Sequence, residues 1–335
     1  MRSGDFVLAL LRDAQNLFEY AFALGALAHY AADNEGHSLA VNVSVPILYP
    51  QLKEKYGDVV TYEENPAAHL KTEFGFDVLE VAKGHFAPDA YRDFIGFEVS
   101  QPLLDRAFRE TYGLELASVL DNEGRAIGSY RHVISSTIPK ATRVAWALKK
   151  NEIERSTPGM TRRRFLYNIS RASYRQNWGK DYRAPSAGEK FLAFLFRLIP
   201  KVGPLKALAL RTPTPQTEQM FERSFNATLV QYRHLLAECD QGRPSLINDN
   251  FDVGAVTAPG EYRLSDNAYA ALLGRLYKQN FAGVSADLRE EILRFYSDPA
   301  APYATRKDRK AWARVEDELQ HLREIQPERR AAEAP

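Results

Sequence analysis

Three of the seven histidines in this 335-residue sequence fall between Ala28 and Phe74, and each has a carboxylate four positions away. His29 is followed by Asp33, Asp33 by His37, and His69 by Glu73. On a helix that separation puts both side chains on one face, the arrangement by which helical proteins present ligands to a metal. Zinc takes both nitrogen and oxygen donors. The ordinary reading of one such pair is a surface contact worth a few tenths of a kcal/mol. Two features point past it. His29 and Asp33 lie in the most apolar helical pattern of the chain, where an unpaired charge is costly and a metal would offset its desolvation. His37 then follows as a third candidate ligand. His37, His69 and Glu73 are expected to converge on one zinc-sized site with a position left for water, which ligand atoms much more than about 4.5 Å apart would not fit.

These side chains need rigid carriers, and the apolar spacing provides them. From Phe6 to about Ala32 the apolar positions recur at helical spacing without a proline, which predicts one long, mostly buried helix. Asn34-Glu35-Gly36 is expected to end it, the glycine taking a left-handed conformation, with His37 just beyond and Pro46 and Pro50 punctuating a connection. Asn65-Pro66 predicts the next start, Asn as N-cap and Pro as first helical residue, in a pattern that Gly84 stops. Further helices are expected from Ser100 to Gly113, from about Ala126 to Glu154, and from Thr214 to Cys239, with later starts at Ser265, Ser285 and Thr305. Leu246 to Tyr262 has room for a short extended piece, and no longer strand alternation occurs. The predicted class is all-α.

The order H-x-x-x-D, then H, then H-x-x-x-E resembles a known pattern. Ala23 to Asp33 followed by His37, and His69 to Glu73 ahead of Asp77, are similar to the second half of the metal core of zinc-dependent phospholipase C, a family related to the single-strand-specific zinc nucleases. The resemblance covers about Phe6 to Val81. It implies an all-helical fold with up to three zinc ions in a cleft. His37, His69 and Glu73 would hold one zinc, while His29 and Asp33 would serve the other two, with Asp33 bridging them. The implied chemistry is phosphodiester hydrolysis, in which water with its pKa lowered from about 15.7 toward 7 furnishes hydroxide for in-line attack. Two departures stand out. Asp33 and His37 are separated by three residues where better-known members have five. The upstream ligands, including an early histidine and an Asp that acts as general base, have no counterpart, because no histidine precedes His29 and only Asp5, Asp13 and Glu19 are at hand. The chain therefore reads as an N-terminally incomplete core that binds fewer than three zinc ions and has no matched catalytic base.

Outside that region, Phe191 to Leu210 is the most apolar stretch, carries only basic charges and is interrupted by Pro and Gly. It is expected either to lie at a membrane interface through Phe194, Phe196, Arg197, Lys201 and Lys206, or to form a buried helical hairpin. Arg162 to Trp178 reads as a solvated basic helix face, and His85, His132, His234 and His321 as structural or surface residues. The expected organisation is a phospholipase C-like core over 1–155, a basic and apolar helical region over 156–240, C-terminal helices over 241–327 and a polar tail over 328–335. With 44 Lys plus Arg against 43 Asp plus Glu, a net charge of +1 argues against a general nucleic-acid binder. Cys239, the single cysteine, has no disulfide partner within the chain. No uncharged apolar run is long enough to span a bilayer, and the first residues lack a signal-peptide pattern. The expected function is a zinc-dependent hydrolase acting on a phospholipid with peripheral membrane contact. A non-catalytic helical zinc- or lipid-binding protein of the same fold and a zinc nuclease are the alternatives.

Overall fold

The computed structural model describes residues 2–83, 99–120, 122–132, 151, 211 and 213–325. Phe194, Phe196, Arg197, Lys201 and Lys206 lie outside the described residues, as does the basic stretch from Arg162 to Trp178. Among the described residues every regular element is helical, and the only extended pairing is an isolated bridge between Asn250 and Ala255. The class is all-α. No described helix is long and apolar enough to cross a membrane.

Two helices, α1 (Ser3–Asp13) and α2 (Leu17–Gly36), replace the single one expected from Phe6 to Ala32. Capping chemistry makes the break. Asn16 leaves the helical backbone (φ −152, ψ 171) and its side chain accepts from the Glu19 amide at 3.0 Å. The Glu19 carboxylate reaches back to the Gln15 amide at 2.8 Å. This is a variant of the capping box, in which two orphan donors at a helix start are satisfied together. Nor is α2 buried along its whole length: Leu17 and Phe18 are 78% and 79% exposed, whereas Ala23, Leu27, Tyr30 and Ala31 form its inner stripe.

Gly36 does not end the helix. The chain passes from α2 into a π-turn (His37–Val41) and on into α3 (Asn42–Leu48), so His37 sits within a continuous helical run and Pro46 within a helix. Proline has no amide to give to the Asn42 carbonyl, and that oxygen accepts instead from the Val60 amide at 2.9 Å. Pro50 opens α4 (Pro50–Tyr56). At the start of α5 (Pro66–Lys83) Asn65 is the expected cap, its Oδ1 accepting from the Ala68 amide at 3.0 Å. The next helix, α6 (Gln101–Tyr112), closes at Gly113 with φ 63.

The remaining described helices are α7 (Glu123–His132), α8 (Pro215–Asp240), α9 (Arg263–Lys278), α10 (Ala286–Phe295) and α11 (Arg309–Glu324). Ser285 caps α10 as expected, its hydroxyl accepting from the Leu288 amide at 3.2 Å. Ser265 lies inside α9 rather than at its start. A short 3-10 turn (Ala304–Lys307) takes up Thr305, and Asp308 caps α11 by accepting from the Lys310 and Ala311 amides.

Two compact units alternate along the sequence. One comprises Met1–Leu39, Ser100–Asp121 and Arg223–Pro335. Its buried clusters join Leu10 and Ala23 to Leu103 and Ala107, Leu27 and Tyr30 to Leu235, and Leu273 and Ile292 to Leu319 and Leu322. Buried Arg2 ties three of its elements together. Its guanidinium pairs with Asp5 at 2.7 Å and Glu291 at 3.2 Å and donates to the Thr111 carbonyl at 3.1 Å. The other unit comprises Ala40–Val99 and Asn122–Glu222. Its core gathers Val45, Leu48, Val60, Ala68 and Phe76, with Phe221 stacked on Phe76 at 4.9 Å between ring centroids.

Because Asn16 and Glu19 set the start of α2, Asn16→Ala should cost about 1 kcal/mol of stability, while Asn16→Asp should be close to neutral. Urea unfolding of the two variants checks this. Equal stability of the Ala variant and the parent would remove the cap from the account.

Candidate metal centre

His37 reaches its position through the π-turn, an irregularity often found at functional sites because it re-aims one side chain within a helix. Its ring Nδ1 lies 2.7 Å from the Phe251 carbonyl oxygen. A carbonyl only accepts, so Nδ1 carries the proton and Nε2 carries the lone pair. A backbone carbonyl holding one ring nitrogen is the usual support for an imidazole that binds metal through the other.

The loop supplying that carbonyl is pinned to α1 and α2. Tyr30 donates its hydroxyl to the Ile247 carbonyl at 2.9 Å, and Ser3 donates to the Asp249 carbonyl at 2.7 Å. Burial and the nearby Asp249 carboxylate push the Tyr30 hydroxyl up to about 12, so it remains a donor at neutral pH. Asn248 donates from its side chain to Asp5 at 3.0 Å and accepts from the Asp5 amide at 3.0 Å. The loop lies so close that a Cβ at Gly4 would collide with the Ile247 carbonyl, and one at Gly254 (φ +68) with the Asn34 carbonyl.

Asp252 follows Phe251 in this loop and is buried. Its amide donates to Asn250 Oδ1 at 3.0 Å, a local turn that orients the residue, and its carboxylate Oδ2 accepts from the Tyr262 hydroxyl at 2.8 Å. In α5, His69 is 2% exposed and packs edge-on against Tyr62 at 5.5 Å between ring centroids. Its Nε2 lies 3.0 Å from Glu73 Oε1, the contact expected from the four-residue spacing.

Within one compact unit, His37 and Asp252 each offer a ligand atom within 4.8 Å of the other. Two ligands on opposite sides of one zinc are at most about 4.4 Å apart, since zinc bonds to N and O are near 2.0 to 2.2 Å. Side-chain adjustment of a few tenths of an ångström therefore suffices. In the other unit, His69 and Glu73 are a second adjacent nitrogen and oxygen pair. An imidazole and a carboxylate are donors that zinc favours, so the residues fit the ion.

Burial, rather than spacing, separates the histidine pairs. His29 Nδ1 meets Asp33 Oδ2 at 2.9 Å, but the His29 side chain is 73% exposed. Donating a hydrogen bond to the Asp33 carboxylate raises the imidazole above its ordinary range. His234, read from the sequence as a structural or surface residue, makes the same contact with Glu238 at 3.2 Å while 72% exposed. Both histidines are exposed where His69 is buried. The upstream carboxylates have structural work: Asp5 pairs with Arg2, and Glu19 closes the α2 cap and takes Arg106.

Sequence reading passed over Asp252. It lies far from the histidines in the chain and belongs to no helical pattern. The usable signal was the run Asn248-Asp249-Asn250 followed by Asp252 and Gly254, residues that build tight, carboxylate-presenting turns.

Residues 1–122, about a third of the chain, match the model of a family described as zinc dependent phospholipase C. This is the family whose pattern His29 to Glu73 resembles. No curated protein and no solved structure matches the chain.

Tyr262→Phe removes the hydroxyl that orients Asp252 and should weaken zinc binding about 10- to 100-fold, read by competition with a chromogenic chelator. Unchanged affinity would show that Asp252 needs no such support. In zinc-free protein, His29 should titrate above about 6.5 by NMR, and Asp33→Asn should bring it down toward that value. The sign follows from a folded pKa raised above the unfolded one: the pair's stabilisation is fully present below about 6.5 and fades as pH rises through the folded value. The Asp33→Asn difference in urea midpoint should therefore be larger at pH 5.5 than at pH 9.

Proposed function

We propose, from the premise that residues 1–122 carry the zinc-dependent phospholipase C pattern, that the protein is a zinc-dependent phosphodiester hydrolase whose substrate is a phospholipid. The observation that supports this most is the approach of His37 and Asp252 to within 4.8 Å, with His69 and Glu73 as the ligands the family pattern implies. Glu73, one helical turn from His69, is the additional carboxylate that the family pattern implies. When bound, zinc would polarise a phosphoryl oxygen and make a water acidic enough to act as nucleophile near neutral pH.

The chain's own residues prepare that site. His37 directs Nε2 outward because Phe251 holds its Nδ1–H. Asp252 presents a carboxylate fixed by Tyr262 and by its own turn. Glu73 Oε1 faces His69 Nε2 at 3.0 Å, so a cation that displaces the shared proton meets a nitrogen and an oxygen donor already adjacent. Peripheral membrane contact through Phe194, Phe196, Arg197, Lys201 and Lys206 completes the proposal, because a phospholipid's phosphodiester lies at headgroup level.

Zinc content and release of water-soluble phosphorylated headgroup from phosphatidylcholine vesicles test this together. Expected are chelator-sensitive release and a loss of at least about tenfold in zinc affinity for His69→Ala and for Asp252→Asn. Tight zinc binding that survives both substitutions would refute the site. Zinc-dependent cleavage of single-stranded nucleic acid without phospholipid cleavage would replace the substrate.

A further inference from the structure

Apart from the metal residues, α9, α11 and the 3-10 turn before α11 line a cleft of about 380 Å³, within the roughly 300 to 1,000 Å³ typical of small-molecule sites. It stays open because Ala271 and Gly274 of α9 and Ala311 of α11 present almost no side chain to it. Gly274 also admits Glu318, whose Oε1 would stand only 3.3 Å from a Cβ at that position.

The charged lining is unbalanced. Arg275, Lys278 and Arg314 face it against the single carboxylate of Glu318. None of the three cations has a hydrogen bond or a close ion pair among the described residues. Arg314 and Lys278 reach Glu318 only through space, and burial outweighs them in raising the Glu318 carboxyl above its ordinary range. Thr305 lines the cleft as well, its hydroxyl oxygen buried with no hydrogen-bond partner among the described residues.

Guanidinium forks and an ammonium match the oxygens of a phosphate group. We infer that this cleft is a binding site for a phosphate-bearing small molecule, held by Arg275, Lys278 and Arg314. The site does not depend on the metal residues.

Titration calorimetry on the full chain, with a chelator present to silence the metal residues, tests it. The probes are inorganic phosphate, glycerol phosphate, phosphatidylglycerol vesicles, and glycerol as the neutral control. Saturable binding of at least one phosphate probe, weakened by salt, is expected, with no heat from glycerol. Binding of glycerol phosphate would identify a soluble ester as ligand, and binding of vesicles alone a lipid headgroup. Arg314→Gln should weaken the affinity about fivefold, while Glu318→Gln should tighten it, a reversal of sign that general destabilisation cannot produce. Absence of saturable binding by every phosphate probe, or affinities that neither substitution moves, would overturn the inference.

Discussion

The hydrogen bond from His37 Nδ1 to the Phe251 carbonyl, 2.7 Å long, is the contact on which the metal centre depends. It fixes the tautomer of one imidazole, ties the π-turn at the end of α2 to the loop that carries Asp252, and so sets where two donors stand. Without it the tautomer would not be fixed in this way. Its cost is borne by unusual backbone. A π-turn interrupts the α2 to α3 run, and the loop lies against α1 and α2 at two places where any residue but glycine would collide.

The surroundings of that contact explain why the N-terminal helices matter so far from the chemistry. Arg2, Asp5 and Glu291 form a buried charged network, and burying charge is tolerable only when each member is paired and hydrogen-bonded. Although burial alone would raise it, the bonds from Asn248 and Arg2 hold the Asp5 carboxyl below its ordinary value. Asn248 belongs to the same loop as Phe251. The network therefore anchors α1 and the loop together, and a substitution at Arg2 would be felt at Asp252 through loop position rather than through charge.

Much of the fold was legible because local chemistry and global packing agree there. Asn65-Pro66 names its own helix start, and Ser100 to Gly113 its own beginning and end. The single long helix failed because Asn16-x-x-Glu19 is a cap hidden inside an apolar run, where periodicity speaks louder than two polar residues. The π-turn left no trace, since a change of one residue in hydrogen-bond register does not disturb the apolar pattern enough to be seen. At the site, His37, His69 and Glu73 could be picked out by spacing. Spacing could not separate buried His69 from exposed His29 and His234, which share it. Nor could it find Asp252, whose place near His37 is set by tertiary contacts between the 246–262 loop and α2.

The central claim is that His37 and Asp252 hold zinc. Crystals of the full chain grown with zinc, with diffraction recorded just above and just below the zinc absorption edge, test it most directly. An anomalous peak within bonding distance of His37 Nε2 and a carboxylate oxygen of Asp252 is the predicted result. A peak at His29 and Asp33 with none at these two residues, or no ordered zinc at all, would contradict it.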